Sequence, residues 1–305
     1  VVWSMLTVGI VAGAILASRF LGTACASTDL NLVIAGVERL IVVAPLVIFG
    51  LILLAVLGVE RPIGQPAEQA QSAADRPAEL SFAQAWTVLR ASPQVAYFFG
   101  VLSLFTFSLF LQEAVLEPYG GAIFGMDVCA TTRLNAIWGV GTLVGIATTG
   151  FLLVPRLGPQ RTALLGGVLA GVFVLLMVVA GAVVSEPLFR LALLLFGYAA
   201  GVSTNASLTL MLGLTSPALA GTFIGVWGLA QAYARGVATV TGGGLLSLFG
   251  GVFGGQDTYG AYASVFVIQA VGLLLAGLLL LRVDTTLFKQ RVQRALGDLL
   301  ALELD

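Results

Sequence analysis

The sequence has no histidine at all. That removes the commonest metal ligand and the ordinary proton relay near neutral pH. Cysteine is almost as scarce: Cys25 and Cys129 fall in separate connecting segments, so neither a disulfide framework nor a metal cluster is expected. Charged residues make up 10% of the chain, against roughly a quarter in soluble domains. A soluble globular class is therefore excluded. Net charge is −1 and no basic stripe exists to grip phosphates, so nucleic acid is not an expected partner. No nucleophile–base pair or metal-ligand spacing appears, and an enzyme is not expected.

What fills the chain instead is apolar: 59% of residues, with a mean hydropathy of +1.04. Several nearly uncharged runs reach the ~18 residues that cross ~30 Å of hydrocarbon at about 1.5 Å per residue. They lack the ten-residue alternation of a membrane barrel. The expected class is all-α, a polytopic membrane helix bundle. Eight spans are read, at about 1–18, 40–58, 95–112, 133–153, 162–184, 188–212, 220–248 and 262–281.

One connection differs. Residues 60–79 (ERPIGQPAEQAQSAADRPAE) are polar, Pro- and Gln-rich and without apolar period, which reads as a flexible linker. Ser81 to Gln84 then fits a capping box, and Phe82, Trp86 and Leu89 predict a short interfacial helix. With the linker in the cytoplasm, nine Lys/Arg face inside and four lie near outer loops, as the positive-inside rule requires. Two spans before a long cytoplasmic linker and six after it match a major facilitator fold lacking its first four helices. The chain opens at Val1 inside an apolar run, so it is expected to be the later part of a longer protein. Domains follow as 1–59, the last two helices of an N-terminal bundle; 60–94, the central linker; 95–281, a six-helix C-terminal bundle; and 282–305, a cytoplasmic tail. Residues 150–161 (GFLLVPRLGPQR) sit where that fold carries a glycine/arginine turn, here without its usual aspartate.

Three constellations stand out. In residues 111–145, Glu113 and Glu117 precede Pro118-Tyr119-Gly120-Gly121; Pro118 and the glycines predict a helix stop at Glu117. A second helix is expected to open at Thr131-Thr132 and to carry Asn135 and Trp138. In the seventh span Trp227, Gln231 and Arg235 recur every four residues and share a face. An arginine at mid-bilayer costs ~2.5–3.5 kcal/mol on insertion scales, so it either pairs with Glu113 or Glu117 beside an interior cavity or, if Gly242-Gly243-Gly244 ends the helix early, snorkels outward. The sixth span's Tyr198, Ser203, Thr204, Asn205, Ser207 and Thr209 suit a cavity wall or interhelical hydrogen bonds equally. Phe98, Phe99, Phe105, Phe107 and Phe110 read first as lipid-facing and second as lining for a flat apolar ligand. Small residues four apart (Gly9/Gly13, Gly141/Gly145, Gly167/Gly171, Gly197/Gly201, Gly221/Gly225) predict close helix packing.

The stretches LQEAVLEPYGGAIFGM, TTRLNAIWGVGTLVG and SPALAGTFIGVWGLAQAYARGVATVTGG resemble the PucC/LhaA family, most nearly its cyanobacterial branch. The resemblance covers roughly 95–281 by motif and the first two helices by position. It implies a major-facilitator-like factor for assembling photosynthetic pigment–protein complexes in a thylakoid or other photosynthetic membrane, or in the plasma membrane. The implied cargo is chlorophyll or bacteriochlorophyll, with no covalent cofactor; the implied partners, beyond the lipid bilayer, are light-harvesting or photosystem apoproteins and chlorophyll-synthesis enzymes. The motif positions, with the polar groups above, give the candidate cargo-binding set: Gln112, Glu113, Glu117, Tyr119, Trp138, Asn205, Trp227, Gln231 and Arg235. Without histidine, a central magnesium would take an oxygen ligand, for which Gln112, Glu113, Asn205 and Gln231 are candidates. The alternatives are an ion-coupled secondary transporter of a small amphipathic solute, with Glu113 as the titrating group, and a ligand-free bundle that docks partner helices.

Overall fold

The structure is a computed structural model and describes residues 2–21, 30–57, 93–214, 220–253 and 258–283. The linker with its capping box and interfacial helix, and the tail, lie outside the described residues apart from their edges, as do six of the nine inside-facing cations that set the orientation.

Every described element is helical. The chain runs α1 (Val2–Leu21), α2 (Leu30–Val56), α3 (Pro93–Phe110), α4 (Leu116–Phe124), α5 (Val128–Thr148), a π-helical turn (Thr149–Leu153), α6 (Val154–Leu157), α7 (Pro159–Ala182), α8 (Glu186–Leu214), α9 (Ala220–Val252) and α10 (Thr258–Leu280). Among the described residues, five helices are long and apolar enough to cross a membrane by length and composition. The protein is an integral, multi-pass membrane protein. The second span begins ten residues earlier than its hydropathy suggests, because the charged pair Glu38-Arg39 occupies one turn of α2 without interrupting it.

The six later spans form the core. α8 packs between α5 and α7, α10 between α7 and α3, and α9 against α3 and α10; α1 lies along α5. The α5–α8 crossing is the tightest. A Cβ at Gly141 or Gly145 would overlap the α8 backbone at Leu194 and Tyr198, and one at Gly197 or Gly201 the carbonyls of Trp138 and Thr142. These two glycine pairs interlock, as small residues do where helix backbones touch. Gly171 does the same more loosely against Leu274 of α10. Gly9, Gly13 and Gly225 meet nothing within 4 Å, so at those positions close packing is not observed.

Three local expectations are corrected. The α3 helix ends at Phe110, and α4 runs straight through Pro118-Tyr119-Gly120-Gly121. Pro118 is the third residue of α4, where its missing N–H would have had no intrahelical partner, so it helps start a helix. The turn over residues 111–115 breaks the helix instead, with Val115 and Leu116 N–H both donating to the Gln112 carbonyl. Next, α5 opens at Val128 rather than at the threonines, because the Asp127 carboxylate caps it by accepting from the Ala130 N–H at 2.7 Å. Finally, Gly242 to Gly244 do not end α9, which continues to Val252. A Cβ at Gly242 would overlap the Leu111 carbonyl, so the glycine lets α9 pass close over the α3–α4 turn. Cys129 is disulfide-bonded, against the reading from cysteine spacing, with its partner outside the described residues.

Candidate functional site

The α3–α4 turn places Glu113 beside α9. There Arg235 Nε donates to both carboxylate oxygens, at 2.9 and 3.2 Å, and Nη2 donates to Oε1 as well. The Thr239 hydroxyl, one turn further along α9, lies 3.1 Å from Glu113 Oε2. Multiple charge-assisted bonds make this a strong, oriented pair. Arg235 also lies over the Phe110 ring, 4.6 Å from its centroid, and Phe110 meets Trp138 edge to face at 6.5 Å. The arginine is therefore paired to Glu113 and does not snorkel alone.

The pair borders a cavity of about 260 Å³. Its walls come from α1 (Thr7, Ile10), the end of α3 (Phe110) and α5 (Trp138, Thr142, Ile146). On the other side are Thr204 of α8 and Gly228, Gln231 and Arg235 of α9. Most of this wall is carbon. One of its hydroxyls is spent on backbone: Thr142 bonds the carbonyls of Trp138 and Gly197 at 2.9 and 3.2 Å. The Gln231 amide and the Thr204 hydroxyl have no hydrogen-bond partner among the described residues. The Trp138 indole N–H is buried and likewise without one.

Of the nine residues singled out by sequence, Trp138, Gln231 and Arg235 line this cavity, and Glu113 meets it through Arg235. Glu117 turns to Asn135, whose amide donates to it at 2.6 Å. Asn205 is spent on the Ile146 carbonyl at 3.2 Å, and Gln112 is buried away from the cavity wall. Two more of the nine lie apart from the cavity. Tyr119 is fully buried in an aromatic cluster with Phe124, Phe189, Tyr262 and Phe266, its hydroxyl donating to the Met177 carbonyl at 3.0 Å. Trp227 packs in a separate core cluster with Phe98, Phe99 and Met211. Both are framework. The phenylalanines of α3 are core as well: Phe98, Phe99 and Phe105 are buried, and Phe110 alone reaches the cavity. In α8, Ser203 and Asn205 bond across to neighbouring helices, leaving Thr204 to the cavity.

Sequence reasoning missed Thr239 and Thr7, while Phe110 takes the second of its two expected places, in the cavity wall. Thr239 was within reach, since it continues the Gln231–Arg235 face by one more turn. Thr7 carried no signal, because its place depends on how α1 lies against α5.

The fold has solved relatives. A bacterial homolog of the human lysosomal transporter Spinster, in an inward-facing and unoccupied conformation, superposes with a TM-score of 0.54 at 18% identity, over 86% of this chain and 60% of that one. This likeness fixes the fold as of the major facilitator type. By sequence, the chain is 32% identical over 165 residues to Protein PucC of Rhodovulum sulfidophilum, covering 54% of this chain and 36% of that protein. It is 30% identical over 253 residues to the bacteriochlorophyll synthase 44.5 kDa chain of Rhodobacter capsulatus, covering 77% of this chain and 56% of that protein. A Protein PucC of Cereibacter sphaeroides is 30% identical over 207 residues, 67% of this chain and 45% of that protein. The chain thus spans about half the length of these relatives, or less. The PUCC protein family model matches residues 1–288, and the chain belongs to the PucC family.

Proposed function

We propose that the protein is a non-enzymatic membrane factor for the assembly of photosynthetic pigment–protein complexes, holding a chlorophyll-type pigment for delivery to an antenna or photosystem apoprotein. The observation that carries this reading is the cavity between α1 and the six-helix bundle, apolar over most of its wall and bearing Arg235, which is paired to Glu113. A tetrapyrrole with a hydrocarbon tail is recognised by such a surface: carbon for the ring edge, a few placed polar groups for its substituents. At about 260 Å³ the cavity is just below the ~300–1,000 Å³ of whole-ligand sites, so it takes one edge of the pigment. Of the four oxygen-bearing candidates for magnesium, Gln231 alone lines it. The names of the relatives, PucC and a bacteriochlorophyll synthase chain, point the same way.

The test is the absorption spectrum of the full-length protein, extracted gently from a pigment-making host. A chlorophyll-type band that Gln231→Leu diminishes is the expected result. Protein with neither pigment nor an antenna or pigment-synthesis partner would end the proposal.

The likeness to a transporter favours a second reading, secondary transport of an amphipathic solute. Proton coupling would then run through Glu113, and proton-linked uptake into vesicles that survives Glu113→Gln would remove it.

A further inference from the structure

Among the described residues the cavity wall bears one cation, Arg235, and that cation is already matched by Glu113 through three hydrogen bonds. The groups left over are neutral: the Gln231 amide, the Thr204 hydroxyl and the buried Trp138 N–H. The Arg235 bonds to Glu113 use Nε and Nη2, leaving Nη1 as a donor. A carboxylate entering here would lose its water and meet a pair whose negative member sits beside the positive one, so its attraction to Arg235 is offset by Glu113. An ester or ketone carbonyl meets no such opposition. It can accept from the Gln231 amide or from Nη1, while its apolar remainder packs against Phe110 and Ile146.

We infer that this site is selective for uncharged amphipaths that carry hydrogen-bond-accepting carbonyls, such as esters, and rejects the corresponding free acids. The inference rests on the pigment reading only for the size of the ligand, and its test separates the two. Full-length protein in lipid nanodiscs is titrated with two matched pairs, a porphyrin-ring acid with its methyl ester and hexadecanoic acid with methyl hexadecanoate, by quenching of tryptophan fluorescence. The expected result is at least tenfold tighter binding of the ester in each pair. Glu113→Gln, which leaves Arg235 unmatched, is expected to reverse the preference toward the acid. Glu113→Gln combined with Arg235→Gln, neutral again, is expected to restore it, and guards against a folding defect in the single variant. Ester preference in the linear pair with no binding of either porphyrin would support the neutral site and defeat the pigment reading. Equal or tighter binding of the acid to the unmodified protein, a preference untouched by Glu113→Gln, or failure of both pairs to bind would overturn the inference.

Discussion

Tyr119 shows how a distinctive motif residue can serve the frame. Its hydroxyl reaches the last turns of α7, where a Cβ at Gly181 would overlap it, and four aromatic rings surround it. Removing the hydroxyl takes away a second, side-chain donor from the Met177 carbonyl, which keeps its intrahelical bond, a loss of about 0.5–1.5 kcal/mol. Tyr119→Phe is therefore expected to lower thermal stability in detergent modestly and to leave pigment retention unchanged. Filling the space from the other side is worse. Gly181→Ala forces the ring out of its socket, with an expected cost of about 1–3 kcal/mol, as for other overpacked cores. A Tyr119→Phe protein of full stability that has lost its pigment would return this residue to the binding site. The Glu113–Arg235 pair is a different case, because each partner left alone is an uncompensated charge. A double-mutant cycle with Glu113→Gln and Arg235→Gln is expected to show a coupling of about 0.5–3 kcal/mol.

At the level of helices, the glycines divide into those that set a crossing and those that do not. Gly197→Leu or Gly201→Leu would push α8 off the α5 backbone and is expected to prevent stable folding. Gly9→Ala and Gly13→Ala, with nothing within 4 Å, are expected to change the melting temperature by less than about 2 °C, consistent with surface substitutions within ±0.5 kcal/mol. Spacing alone could not tell these groups apart, since GxxxG reports that a close approach is possible and not that a partner is present. The helices themselves were legible because runs of this apolarity have no other stable form in lipid. What the sequence concealed was local. Pro118 looks identical as a helix stop and as a third helical residue, and the difference lies in where the preceding turn falls. The pairing of Arg235 was legible in part: its cost in lipid demanded a partner, and two carboxylates stood in the same half. Choosing Glu113 over Glu117 needed Asn135, whose amide holds Glu117 elsewhere.

In the whole molecule, the candidate site depends on α1, which supplies Thr7 and Ile10 from outside the six-helix bundle. The seam is narrow at Gly139, where a Cβ would run into the Val11 side chain. Gly139→Leu is expected to lift α1 from α5 and open the cavity. Pigment retention should then fall several-fold while the circular dichroism of the bundle stays helical. Gly9→Leu, on the unopposed side of α1, is the control. If retention is indifferent to Gly139→Leu, the site lies wholly within the later helices.

The matched charges of Arg235 and Glu113 also have an electrical consequence. A cation held against its counter-anion presents no net charge to the field across a membrane, and an uncharged passenger adds none. At about 2.3 kcal/mol per elementary charge per 100 mV, the potential can do work only on unbalanced charge. Loading and release at this site should therefore proceed alike in energised and de-energised membranes.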